Sequence, residues 1–452
     1  MSRLNSLFRN FSTVGNRITP NKVHGILERK MLLKGYPLVY DHKKSHGSYI
    51  RDSITGKDYL DMFSFYASYP ISHNHPKLNN EEFKKEIGEV AIHNPSNSDI
   101  YTEEMAQFVG TFERVCIPQE FKHLFFISTG TLAVENALKV AFDWKVRKNL
   151  EVGKEPIGHK VIHFKEAFHG RSGYTLSLTN TDPTKYLHFP LFKWPRIINP
   201  KMIFPLKADN LTKVINLEQK ALYDIETILK TDGDDVASII LEPIQGEGGD
   251  NHFRPEFWKE LRKLSDQYNV MLIADEVQSG MGITGKMWAY EHLGSTPDIV
   301  CFGKKTQICG IMCTDRVNEV KDNVFKVPSR INSTWGGSLV DMVRSKKMIE
   351  IIEEDNLIDN AKVVGDYTLN KLHDLSFKYP IKISNVRGKG LMCAFDLPSK
   401  EMCEELKDLA YTKQLLIISC GNNSIRIRPL LDVSTTEIDK LISILNACFK
   451  EL

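Results

Sequence analysis

Between Leu124 and Met312 the chain alternates short apolar runs with longer amphipathic stretches, and no other feature narrows its fold so far. The runs Leu124-Phe-Phe-Ile127, Val161-Ile-His-Phe164, Ala237-Ser-Ile-Ile-Leu241, Val270-Met-Leu-Ile-Ala274 and Ile299-Val-Cys-Phe302 read as strands buried on both faces. Stretches such as 132–147 and 255–268 have the spacing of helices that would cover them. That rhythm predicts a parallel sheet wrapped by helices. Beyond Gly337 longer helices take over, followed by the segments 386–395 and 425–427, which predicts a smaller α+β domain. A chain of 452 residues also exceeds the roughly 250–300 residues that one core serves.

In an open parallel sheet, ligands sit outside the carboxyl ends of the strands. Polar residues collect at those ends here. Ser128-Thr-Gly-Thr131 follows the first run, Phe168-His-Gly-Arg171 the second, and Glu242-Pro-Ile-Gln-Gly-Glu-Gly-Gly249 the third. Asp275-Glu-Val-Gln278 and Gly303-Lys-Lys305 follow the fourth and fifth, so five strand ends are expected to converge on one crevice.

Three of these ends carry distinct chemistry. Ser128-Thr-Gly-Thr131 enters a helix, whose positive end and backbone amides suit a phosphate, although such turns also serve as plain N-caps. Asp275 closes an apolar strand, where a carboxylate needs a positive partner. That partner is either a nearby Arg or Lys, or the protonated ring nitrogen of a cofactor. Lys304 lies between apolar stretches, where partial loss of water lowers an amine's pKa and makes it a nucleophile able to form a Schiff base. Phosphate cradle, ring carboxylate and reactive lysine together describe a pyridoxal-phosphate site.

The segments ADEVQSGMG at 274–282 and PDIVCFGKK at 297–305 resemble the signature of the class III pyridoxal-phosphate aminotransferases. FHGRSGYTLSLTNT at 168–181, EPIQGEGGDNHFRPEFW at 242–258, FGKKTQICG at 302–310 and NSTWGG at 332–337 resemble one branch of it, the lysine 6-transaminases. The resemblance runs from about residue 20 to the C-terminus. It implies fold type I, with a large domain built on a mostly parallel seven-stranded sheet and a smaller α+β domain. On that plan, residues 1–25 form an arm or transit segment, 26–75 the first part of the small domain, 76–337 the large domain and 338–452 the rest of the small one.

The resemblance also implies roles. Lys304 would hold pyridoxal 5'-phosphate and move protons, with Lys305 a supporting or solvated neighbour. Asp275 would pair with the ring nitrogen, Gln278 with the ring hydroxyl, and Phe168 would stack on the ring. Gly130 and Thr131 would contact the phosphate, and Thr334 would reach that of a second protomer, since family dimers share their sites. Arg171 would grip the carboxylate far from the reacting carbon, and Arg426 the near carboxylate of a 2-oxo acid. Glu247 would neutralise Arg426 when a side-chain amine binds instead, and Asn332 would contact the α-amino end. The implied substrates are L-lysine and 2-oxoglutarate, with ornithine or 4-aminobutyrate as alternative donors. Departures from the wider family are Leu132-Ala133, where most members have Glu-Ala, and Cys309-Gly310, where many have paired glycines. A non-catalytic descendant of the fold is a rival reading, as is, more distantly, a hydrolase built on Cys301 or Ser128.

With 59 basic and 57 acidic residues well mixed, nothing marks a nucleic-acid or membrane surface. No run approaches the roughly 20 apolar residues of a membrane span. The eight cysteines form no CxxC pair, so reduced core thiols are expected rather than disulfides or a metal site. Residues 1–27 lack acids, carry Arg3, Arg9, Arg17 and Lys22, and set Leu4, Leu7, Phe8 and Phe11 at helical spacing. That pattern fits a mitochondrial transit peptide as well as a frayed arm, leaving the cytoplasm and the mitochondrial matrix as expected compartments.

Overall fold

The computed structural model of the protein describes residues 18–452; Leu4, Leu7, Phe8 and Phe11, with Arg3, Arg9 and Arg17, lie outside the described residues. A seven-stranded sheet organises the chain, in the spatial order Phe121–Ile127, Cys309–Thr314, Ile299–Phe302, Met271–Asp275, Val236–Leu241, Lys160–Phe164 and Arg196–Ile197. The five expected strands are all present and share one direction. Cys309–Thr314 runs against both of its neighbours, and the two-residue strand Arg196–Ile197 closes the far edge in parallel.

The strands read as unbroken apolar runs because each face meets its own core. Ile239, Leu272 and Phe126 belong to one buried cluster, while their chain neighbours Ile240, Ile273 and Ile127 belong to another on the opposite side. Successive side chains of a strand point to opposite faces, so both must be apolar when both are covered. Helix Gly130–Glu151 covers the second face through Ala133, Ala137, Ala141 and Trp144. On the first face Phe302 meets Phe112 at 5.1 Å and Trp288 at 6.3 Å between ring centroids.

The segment 386–395 belongs to a second, smaller sheet. It folds into a hairpin, Ser384–Lys389 against Met392–Asp396, turning at Gly390 with φ of 54°. A side chain at Gly390 would also stand 2.5 Å from the Ile283 carbonyl oxygen, so both the turn and the close approach need glycine. Ser424–Ile427 and Ile418–Cys420 complete an antiparallel four-stranded sheet. Near the N-terminus, Tyr49–Arg51 pairs with Asp58–Asp61, which in turn pairs in parallel with Leu415–Leu416. Among the described residues, no helix is long and apolar enough to cross a membrane.

Candidate active site

Sheet register sets the site. Asp275 pairs with Cys301 on the neighbouring strand, so the chain leaving that strand delivers Lys304 beside the Asp275 strand end. Lys304 has a left-handed backbone, with φ of 54°, a conformation that costs a non-glycine residue about 1–2 kcal/mol. Both residues line a cavity of about 240 Å³ together with Gly130, Thr131, Phe168, His169, Glu242, Glu247, Gln278 and Cys309. Every convergent strand end contributes to it.

Electrostatics inside the cavity follow from burial. Removal from water, reinforced by the positive charge of Arg426, draws the Lys304 amine from the ordinary lysine range down to about 8. Asp275 Oδ2 lies 2.7 Å from His169 Nδ1, and its Oδ1 accepts from the Val277 backbone amide at 3.1 Å. Burial alone would lower His169, but the hydrogen bond and charge of Asp275 outweigh it and raise the imidazole above its usual value. Glu242 accepts from the backbone amides of Phe168 at 2.9 Å and Gly246 at 3.1 Å, and burial pushes its carboxyl up to about 7.

A second cluster borders the cavity. Arg426, only 1% exposed in its side chain, donates Nη2 to Glu247 Oε2 at 2.7 Å. The other carboxylate oxygen of Glu247 accepts from Lys185 Nζ, also at 2.7 Å. Burial would raise Glu247, but Arg426 and Lys185 hold it below the usual carboxylate range. Gln278 Oε1 faces two guanidiniums, Arg426 Nη1 at 3.4 Å and Arg428 Nη2 at 3.3 Å.

Lys305 is not a solvated neighbour. It is buried, and its Nζ donates to the backbone carbonyls of Gln278 at 2.6 Å and Ala67 at 3.2 Å. Burial holds that amine well below its normal value, so Lys305 acts as a brace while Lys304 faces the cavity. Arg171, Asn332 and Thr334 are exposed and lie outside the cavity lining. Arg171 places its guanidinium 5.9 Å from the Phe168 ring, at the mouth. The backbone of the Thr334 loop accepts hydrogen bonds from Ser98 Oγ and from the Asn97 side chain, at Ser333 and Gly337 respectively.

The Cys301 thiol is fully buried and its pKa raised by burial, which removes it as a nucleophile. The buried His73 is held by Asp61 at 3.1 Å and Tyr40 at 3.3 Å. Among the described residues, no group of three or more His, Cys, Asp or Glu could hold a metal ion.

Sequence reasoning missed three participants. His169 and Glu242 stand inside segments already singled out, and a polar residue beside Phe168 or directly at a strand end was the available signal. Lys185 carried none: it lies 62 positions from Glu247, on a three-residue turn, Pro183–Lys185.

The family model of class-III aminotransferases matches residues 33–449. This chain is a class III aminotransferase. The enzyme is 48% identical over 440 residues to the L-lysine-epsilon aminotransferase of Mycobacterium tuberculosis strain H37Rv, covering 97% of each chain. It is 44% identical over 437 residues to that of Streptomyces clavuligerus, covering 96% of this chain and 95% of the other. A solved structure of lysine aminotransferase from M. tuberculosis, in the internal aldimine form, matches with a TM-score of 0.93 at 48% identity, covering 95% of this chain and 99% of that one.

The aminotransferase uses pyridoxal 5'-phosphate, and the residues present fit that group. Helix Gly130–Glu151 opens on the cavity with no acid in its first turn to compete with a phosphate. A carboxylate, an aromatic ring and an amine drawn toward neutrality line the same space, as a protonated heterocycle bearing an aldehyde requires. The buried His169 Nε2, without a protein partner, adds a polar atom beside the carboxylate.

Proposed function

We propose that this enzyme transfers the side-chain amino group of L-lysine to 2-oxoglutarate, giving 2-aminoadipate 6-semialdehyde and L-glutamate. The observation that carries the reading is the 2.7 Å bond between Glu247 and the buried Arg426. A donor reacting through a side-chain amine brings no carboxylate to the reacting carbon, so an arginine there must be neutralised by the protein. A 2-oxo acid does bring one, and a guanidinium freed from Glu247 can take it by two parallel hydrogen bonds. The likeness to relatives named for lysine favours that donor over ornithine or 4-aminobutyrate. Steady-state turnover of the three amines tests this: lysine should lead clearly, and parity with either of the others would end the assignment.

When bound, pyridoxal phosphate supplies an aldehyde that takes up an amine and a cationic ring that draws electrons from the neighbouring carbon. Asp275, oriented by His169, would hold the ring nitrogen in its protonated form. Gly130 and Thr131 would bind the phosphate, Phe168 would cover the ring face, and Gln278 would orient the ring hydroxyl. Lys304, with its amine near pKa 8, would take the proton from the carbon bearing the donor's amine and return it, across that nitrogen, to the cofactor carbon that had carried the aldehyde. Arg171, at the mouth, would grip the carboxylate far from the reacting carbon. The two substrates would react in turn, giving ping-pong kinetics.

Asn332 and Thr334 enter this reading through a dimer. Exposed Ile92, Ile100, Tyr101 and Trp335 flank two loops, around 97 and 334, that are bonded to each other. Such a surface suits a second copy of the chain, whose cavity Thr334 would reach with its hydroxyl, while Asn332 would contact the α-amino end of the substrate. The mass of the holoenzyme in solution, alone and with Trp335→Glu, tests it.

A further inference from the structure

Glu247 carries two cations, yet the donor–acceptor alternation proposed above calls for only one. Lys185 Nζ lies 2.7 Å from Glu247 Oε1, donates to Thr181 Oγ1 at 2.8 Å, and stands 5.2 Å from the Phe168 ring. Its side chain is 12% exposed and that of Glu247 30%, so this is not an ordinary solvent-washed pair, whose worth would be slight. The turn that carries it is capped locally, with Asp182 accepting from the Thr184 amide at 2.9 Å.

We infer that Lys185 is a positioning residue for the acceptor half of the reaction: it keeps Glu247 paired when Arg426 leaves to bind the 2-oxo acid. The inference rests on the assignment of Arg426 and Glu247 made above. With a side-chain amine bound, one carboxylate is shared by two cations. With 2-oxoglutarate bound, the four charges sort into two pairs, Lys185 with Glu247 and Arg426 with the incoming carboxylate. Without Lys185, the same movement would leave a partly buried anion without a partner, and parting such a pair costs more than exchanging partners. Lys185 therefore lowers the cost of releasing Arg426 without touching either substrate.

The experiment uses the holoenzyme and glutarate, a dicarboxylate that cannot accept an amine. Lys185→Met should weaken glutarate binding about tenfold, as measured by calorimetry, the partial exposure of Glu247 limiting the effect. The single-turnover half-reaction with 2-oxoglutarate should show a matching rise in apparent KM, while that with lysine shifts by less than about threefold. Lys185→Arg should restore most of the glutarate affinity. In the double variant with Glu247→Gln, loss of Lys185 should add nothing further, because the charge it serves is gone. Equal losses in both half-reactions, unchanged glutarate binding in Lys185→Met, or additivity in the double variant would each overturn the inference. Glutarate binding does not involve the donor, so a chain that proved to prefer another amine would lose the lysine assignment while this arm still decided the role of Lys185.

Discussion

His169 Nδ1 and Asp275 Oδ2 stand 2.7 Å apart, both side chains withdrawn from solvent at the end of the central strand. A hydrogen bond to a charged group contributes about 1.5–3 kcal/mol. His169→Ala should therefore lower kcat by roughly 10- to 100-fold while leaving the cofactor's phosphate contacts in place. Stopped-flow half-reactions on protein saturated with pyridoxal phosphate check this; a variant within twofold of the parent would remove His169 from the account.

Glu247→Ala leaves the guanidinium of Arg426, 1% exposed, without its principal anion. The KM for lysine should rise by about tenfold or more, while that for 2-oxoglutarate, which brings its own carboxylate, changes much less. Steady-state kinetics with each substrate varied separately would reveal the split, and a parallel change in both constants would contradict it.

The Lys304 amine titrates near 8 rather than 10.5. Below that pH it is mainly protonated and unreactive, and above it mainly free. Capture of pyridoxal phosphate by the apoprotein, followed by visible absorbance, should accelerate with pH and level off above about 8. Because the folded value lies below the unfolded one, the unfolded chain binds more protons between about 8 and 10.5, and this group makes the apoprotein more stable as pH rises through that window. Continued acceleration up to 10.5 would show the amine to be unperturbed.

Phe302 closes the strand that leads to Lys304 and is fully buried against Phe112, Phe126 and Trp288. Phe302→Ala should cost about 3–5 kcal/mol of stability, read from urea unfolding of the apoprotein. A loss under about 1 kcal/mol would mean that this core collapses around the gap, contrary to its aromatic packing.

Much of this was legible in the sequence. Five strands buried on both faces show as unbroken apolar runs, and their polar ends show as breaks at Ser128, Glu242, Asp275 and Gly303. The reversed strand Cys309–Thr314 was not foreseen, since an apolar run looks the same in either direction. The turn at Gly390 was missed because the residues on both sides of it are strand-like. Lys304 and Lys305 differ by one position and by nothing in composition; the left-handed backbone at Lys304 sends one amine to the cavity, while the other meets Gln278 and Ala67. His169 with Asp275, and Lys185 with Glu247, meet across 106 and 62 positions, distances at which only the folded sheet brings side chains together.

The central claim is the identity of the nitrogen that moves. The most direct test mixes the pyridoxal-phosphate form of the enzyme with lysine alone, for a single turnover, and identifies the carbon product by mass spectrometry and amine derivatisation. The account predicts the side-chain aldehyde, which cyclises onto the retained α-amino group, and no product at all from Lys304→Ala. Recovery of the 2-oxo acid with its side-chain amine intact would contradict it.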